Sequence, residues 1–105
     1  MISNYYSLMK NKIIYVSDEL NEFIKGTAKS SGRPIKQVLN DLIARGLDKY
    51  EEIEIKNGEI GIGFKLYPDI EDKVDKLKES TDSSYNVILQ RLILCGKNDT
   101  NNTES

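Results

Sequence analysis

The chain repeats its own apolar pattern at a fixed offset of 50 positions, and this constrains the fold more than any other feature of its 105 residues. Under that shift Ile14 meets Phe64, Val16 meets Leu66, Leu20 meets Ile70 and Ile24 meets Val74. Further along, Ile35 meets Tyr85, Val38 meets Ile88, Leu39 meets Leu89, Leu42 meets Leu92 and Ile43 meets Ile93. Gly46 falls on Gly96 and Ser30 on Ser80. No gap is needed, and identities are few. The repeat is therefore one of hydrophobic pattern, as expected when one supersecondary unit occurs twice.

Each copy reads as a short strand followed by two helices. In the second, Ile60, Ile62, Phe64 and Leu66 alternate with Gly61, Gly63 and Lys65, the period-two signature of a strand with one buried face. In the first, residues 12–16 are β-rich, and the offset turns Ile14 and Val16 inward and Asn11, Ile13 and Tyr15 outward. Ser17 or Asp18 caps the next helix, whose stripe is Leu20, Phe23, Ile24 and Thr27 or Ala28. Ser30-Ser31-Gly32 stops it, and Pro34 suits the first turn of a second helix carrying Ile35, Val38, Leu39, Leu42, Ile43 and Gly46. In the second copy Pro68 opens a helix striped by Ile70, Val74 and Leu77. Thr81-Asp82-Ser83-Ser84 forms the turn, and the last helix is expected to end at Gly96.

Composition narrows the chemistry. There is no histidine and one cysteine, Cys95. Histidine acid–base catalysis, Ser–His or Cys–His nucleophiles, internal disulfides and Cys-cluster zinc sites are excluded together. The carboxylates lie at helix-surface spacing, as in Asp72 with Lys76, which reads as a solvated face. No enzymatic activity, cofactor, metal or small-molecule ligand is expected. No apolar run approaches the roughly 20 residues of a membrane span, and residues 1–10 lack the apolar core of a secretory signal, so no membrane partner and a cytoplasmic location are expected.

Between the copies, residues 49–60 form an acidic connector. Its Asn57-Gly58 flanked by alternating isoleucines signals a hairpin, with a plain linker as the alternative. The organisation expected is an N-terminal arm (1–10), a first unit (11–48), the connector (49–60), a second unit (61–96) and a flexible polar tail (97–105). The sequons at Asn98 and Asn101 read as accidents of an Asn/Thr-rich tail. One unit of this size cannot bury an adequate core alone. Two can pair their strands into an antiparallel ribbon and enclose a shared core with four helices.

Strand, helix, Ser31-Gly32-Arg33-Pro34-Ile35-Lys36-Gln37-Val38 and helix resemble the ribbon-helix-helix superfamily, which includes the Arc and MetJ repressors. The stretch from Ile13 to Gly46 is the closer match, and that from Ile62 to Gly96 lacks the turn glycine. Two copies in one chain look like the tandem regulators of conjugative plasmids and archaeal viruses. The resemblance implies an α+β, mostly helical fold, with two units forming an intramolecular pseudo-dimer of one two-stranded antiparallel ribbon and four helices. It also implies a double-stranded DNA partner and a ribbon laid in the major groove. Self-association on adjacent sites is a further possibility of the family.

Carried over position by position, the resemblance makes Asn11, Ile13, Tyr15, Gly61, Gly63 and Lys65 the base-contacting set. Lys65 can donate to guanine, Asn11 can pair with adenine, and Ile13 or Tyr15 can meet a thymine methyl. The glycines either admit a close backbone or leave the second strand reading little. The phosphate contacts implied are Gly32, Arg33, Ile35 and Lys36 in the first copy, and Ser83, Ser84, Tyr85 and Asn86 in the second. Each has a plainer role: Lys65 as a solvated edge lysine, Tyr15 in the core, the helix starts as ordinary caps.

Charge complicates the DNA reading. The net charge is −2, but residues 1–50 hold eight basic and five acidic side chains, and residues 51–105 hold seven and twelve. The first copy should grip phosphate through Arg33, Lys36 and Lys10 or Lys12, with the acids Asp69, Glu71, Asp72, Asp75 and Glu79 held away from the ribbon. Lopsided binding, a non-palindromic site and a shallow salt dependence follow. The function expected is a sequence-specific transcriptional regulator, a repressor. The alternatives are an antitoxin-like or self-associating interaction module, or an accessory protein of plasmid transfer or partition.

Overall fold

Alternation decides the two strands. Ile14, Val16, Phe64 and Leu66 are at most 4% exposed, and their neighbours Ile13 and Tyr15 are 55% and 49% exposed. The structure is a computed structural model that describes residues 11–56 and 58–104. In order it contains β1 (Asn11–Val16), α1 (Asp18–Ser31), α2 (Ile35–Asp48), β2 (Ile60–Lys65), α3 (Pro68–Thr81) and α4 (Tyr85–Glu104). β1 and β2 pair antiparallel, with Asn11 opposite Lys65, Ile13 opposite Gly63 and Tyr15 opposite Gly61. Exchanging each residue for the one fifty positions away maps this pairing onto itself, with Ile13 and Gly63 at its centre.

The helices keep the same offset. α1 starts at Asp18 and α3 at Pro68; they end at Ser31 and Thr81; α2 starts at Ile35 and α4 at Tyr85. Of the two candidate caps, Ser17 is the one used: its hydroxyl accepts from the Leu20 N–H at 3.3 Å. α3 begins with Pro68, which has no N–H and so needs no acceptor, and Tyr67 before it supplies no side-chain cap. α1 ends on Gly32, whose φ of 70° is left-handed. α3 ends in the same way on Asp82, with φ 55°. Aspartate tolerates this conformation, so the second turn closes without a glycine.

Val38, Leu39, Leu42 and Ile43 of α2 and Ile88, Leu89, Leu92 and Ile93 of α4 form the centre of the core under the ribbon. α2 and α4 cross so closely that a Cβ on Gly46 would strike the Leu92 carbonyl, and one on Gly96 would strike the Leu42 carbonyl. Gly96 is therefore a contact glycine inside the helix, not its end, and α4 continues to Glu104 in place of the expected polar tail. Side chains from Thr100 onward, with both residues 1–10 and Asn57, lie outside the described residues.

The connector is the linker of the two readings, not the hairpin. None of its described residues before Ile60 is in a strand. Contacts with α4 and β1 hold it instead. Arg91 Nε donates to the Ile53 carbonyl at 3.1 Å, the Cys95 thiol lies 3.8 Å from the Glu51 carbonyl, and Gly58 lies so close to the Val16 carbonyl that a Cβ would overlap it. Among the described residues no helix is long and apolar enough to cross a membrane.

The crossing makes a paired prediction. Gly46→Ala should destabilise the fold by about 2–3 kcal/mol through backbone overpacking. Gly26→Ala, with open space around an exposed helical position, should stabilise it by about 0.5–1 kcal/mol. Urea unfolding midpoints of the two variants should move in opposite directions.

Candidate nucleic-acid interface

The outward face of the ribbon carries six positions, Asn11, Ile13 and Tyr15 on β1 and Gly61, Gly63 and Lys65 on β2, all of them exposed. The strand period puts them there: every second residue must leave the core. Ile13 and Tyr15 are the exposed large hydrophobic side chains of the described chain. Tyr15 does not turn into the core. Its ring lies across the strand, so that a Cβ on Gly61 would meet it at 3.3 Å. Around Gly63 there is room: a Cβ there would come no nearer than 4.0 Å to the Lys12 carbonyl oxygen, its closest neighbour.

The ribbon is clamped at its outer edges by the second helices. Asn40, fully buried in α2, donates from Nδ2 to the Lys65 carbonyl at 3.0 Å and to the Lys36 carbonyl at 2.8 Å. Its Oδ1 accepts from the Tyr67 N–H at 2.9 Å. On the other edge, Asn86 Oδ1 accepts from the Tyr15 N–H at 3.2 Å. Asn40 is not among the sequence candidates. Its signal is an amide on an apolar helical stripe, with Gln90, 2% exposed, at the matching position of the second copy.

The two helix starts are chemically unlike. At α2, Gly32 is spent on the left-handed turn, Ile35 packs partly buried on the core, and Lys36 is exposed with its ammonium 5.7 Å from the centre of the Tyr67 ring. Arg33 pairs with Asp41, further along α2, and stays partly exposed. Pro34 supplies no side-chain cap, so the first N–H groups of α2 are unpaired by any cap.

At α4 every candidate already has work within the fold. Ser83 Oγ accepts from Arg91 Nη1 at 3.3 Å, and Ser84 Oγ caps the Val87 N–H at 3.3 Å. Tyr85 Oη donates to Asp75 Oδ1 at 3.0 Å, and Asn86 holds β1. Burial, then the bond to Asp75, then the charges of Asp75 and Glu71 push the Tyr85 phenol well above its ordinary 10.0.

Two charge assignments change. Lys12 is not available to phosphate, because it lies on the inward side, pairs with Glu71 at 2.9 Å and stacks 4.4 Å from the centre of the Tyr85 ring. Glu71 and Asp75 are consequently beside the ribbon and the start of α4, not away from them. Asp72 and Lys76 do form the expected surface pair, at 3.3 Å with both side chains largely exposed, and contribute little. Lys10 lies outside the described residues.

Searches against family models, curated proteins and solved structures returned no match.

The half-buried phenol generates a pH prediction. Above about pH 10 the unfolded chain releases the Tyr85 proton while the folded chain retains it, so stability should fall as pH rises. Tyr85→Phe should remove that share of the alkaline loss. Urea midpoints between about pH 8 and 11 should therefore fall less steeply for the variant. Parallel slopes would mean that the phenol titrates alike in both states.

Proposed function

We propose that this protein is a sequence-specific double-stranded DNA-binding regulator of transcription, a repressor, built as two ribbon-helix-helix units paired within one chain. The observation that carries the reading is the outward ribbon face. The exposed large hydrophobic side chains of the described chain, Ile13 and Tyr15, stand there beside Asn11 and Lys65, over a core that is otherwise closed. An apolar pair flanked by an amide and a cation matches the chemistry of a major-groove floor, where thymine methyls lie among acceptors and donors. A two-stranded ribbon also fits the groove's width of about 12 Å.

The paired-unit part of the reading is supported by the offset itself. Residues 61–66 repeat the burial order of residues 11–16, the left-handed caps at Gly32 and Asp82 correspond, and Gly46 and Gly96 make reciprocal contacts. Arg33, Lys36 and the uncapped start of α2 are the best-equipped phosphate contact. Ser83, Ser84, Tyr85 and Asn86 would add backbone donors at most. The same contacts would serve an accessory protein of plasmid transfer or partition.

A second reading, self-association, is favoured by one groove between α2 and α3. Ala44, Leu47, Ile70 and Leu77 line it, and Asp48, Asp69, Lys73 and Lys76 rim it. Such a contact is compatible with copies bound side by side on adjacent sites.

The test is selection from a random duplex pool at near-physiological salt, followed by titration of the recovered duplex. A short enriched motif is expected. The double variant Ile13→Ala, Tyr15→Ala should stay within about 0.5 kcal/mol of parental stability, since both side chains are exposed. It should bind the recovered duplex at least about tenfold more weakly. Parental binding by the variant would remove the ribbon as reader, and an empty pool would favour the interaction-module reading.

A further inference from the structure

The outward ribbon face is chemically polarised along its length, and we infer that it reads a non-palindromic duplex in one fixed orientation. This rests on the DNA-binding reading above and adds to it which end reads what. In the antiparallel register Asn11 stands opposite Lys65 at one end, and Tyr15 stands opposite Gly61 at the other. The first end offers an amide and an ammonium. The second offers an aromatic ring laid over a residue with no side chain, with Ile13 next to it at the centre opposite Gly63. Two equal strands would present the same pair of side chains at both ends. Here fifty positions turn Asn11, Ile13 and Tyr15 into Gly61, Gly63 and Lys65, so one end is polar and the other apolar.

The flanking helices strengthen the polarity. The polar end is held by α2, through Asn40 on the Lys65 carbonyl, and α2 brings Arg33, Lys36 and an uncapped start. The apolar end is held by α4, through Asn86 on the Tyr15 N–H. That helix start is capped by Ser84 and neighboured by Asp75, which binds the Tyr85 hydroxyl. Cationic donors and uncapped N–H groups therefore gather at the Asn11–Lys65 end, while carboxylates lie at both ends, Asp41 on Arg33 and Glu71 on Lys12 at this one and Asp75 on Tyr85 at the other. Lys65 is exposed, and the described structure gives it no carboxylate partner within the protein. Its natural acceptors are guanine O6 and N7, and Asn11 beside it suits adenine. Tyr15 and Ile13 suit thymine methyls. The outer pairs are four residues apart, about 13 Å at the rise of a strand, which spans about four base-pair steps. The site predicted is a guanine-containing step and a thymine-rich step about four base pairs apart, with the firmer phosphate grip on the guanine side.

The experiment is parallel selection from one random duplex pool by the full-length parental chain, Lys65→Ala and Tyr15→Ala, with each recovered motif titrated against single-base replacements. The parental motif should be non-palindromic. Lys65→Ala should reduce discrimination at the guanine step from about 5- to 150-fold to about twofold and leave the thymine step intact. Tyr15→Ala should do the reverse. A palindromic parental motif, or equal loss at both ends in both variants, would overturn the polarised reading while leaving the ribbon as the reader. A motif unchanged in both variants, or no motif from the parental chain, would overturn the ribbon reading and this inference with it.

Discussion

The close crossing of α2 and α4 is the constraint on which the other parts rest. Each helix presents a glycine to the other's carbonyl, Gly46 to Leu92 and Gly96 to Leu42, and no side chain fits between. That approach brings Leu39, Ile43, Leu89 and Ile93 into one interior and sets how far apart the helix starts lie. The starts in turn hold the ribbon edges, through Asn40 on one side and Asn86 on the other. A two-stranded ribbon is barely stable in water without such support. Its placement therefore depends on a helix contact on the far side of the core.

The ribbon's register is held by burial. A slip of one residue in β1 would turn Ile14 and Val16 to solvent, and a slip in the β2 segment would do the same to Phe64 and Leu66. At about 1.5–3 kcal/mol each, the loss is about 3–6 kcal/mol, a large share of the stability of a small domain. The outward set is thereby fixed as Asn11, Ile13, Tyr15, Gly61, Gly63 and Lys65, although none of these six contributes much to the core. The side chains on this face can vary with little effect on stability, whereas the face itself cannot move.

Much of the fold was legible because it is periodic. Strand alternation and helical stripes are local signals, and the offset of fifty checked each copy against the other. What escaped was non-local. Gly96 reads as a helix stop until its partner carbonyl is known, since a glycine used for conformational freedom and one used for close approach look alike in a sequence. Asn57-Gly58 reads as a hairpin turn, yet Gly58 is wanted for its backbone contact with Val16. The outward positions of β2 were legible from the alternation, and those of β1 from the offset of fifty. The fate of Lys12 was not: its pairing with Glu71 joins β1 to α3, and nothing in either segment announces the other.

The two halves of this slightly acidic chain use their charges differently. The carboxylates of α3 are not spectators kept at a distance. Glu71 takes up Lys12 and so joins α3 to β1, and Asp75 takes the Tyr85 hydroxyl and so joins α3 to α4. The second unit has thereby spent its helix start on holding the fold, and its strand has two glycines where the first has Asn11 and Ile13. The first unit keeps Arg33, Lys36 and three outward strand side chains. Segments that match at the offset of fifty thus differ in use: β1 exposes Asn11, Ile13 and Tyr15, and β2 exposes Lys65 beside two glycines. Two identical strands would give equal ends, because every substitution would appear on both sides; the different sequences of β1 and β2 make the ends of this ribbon unequal.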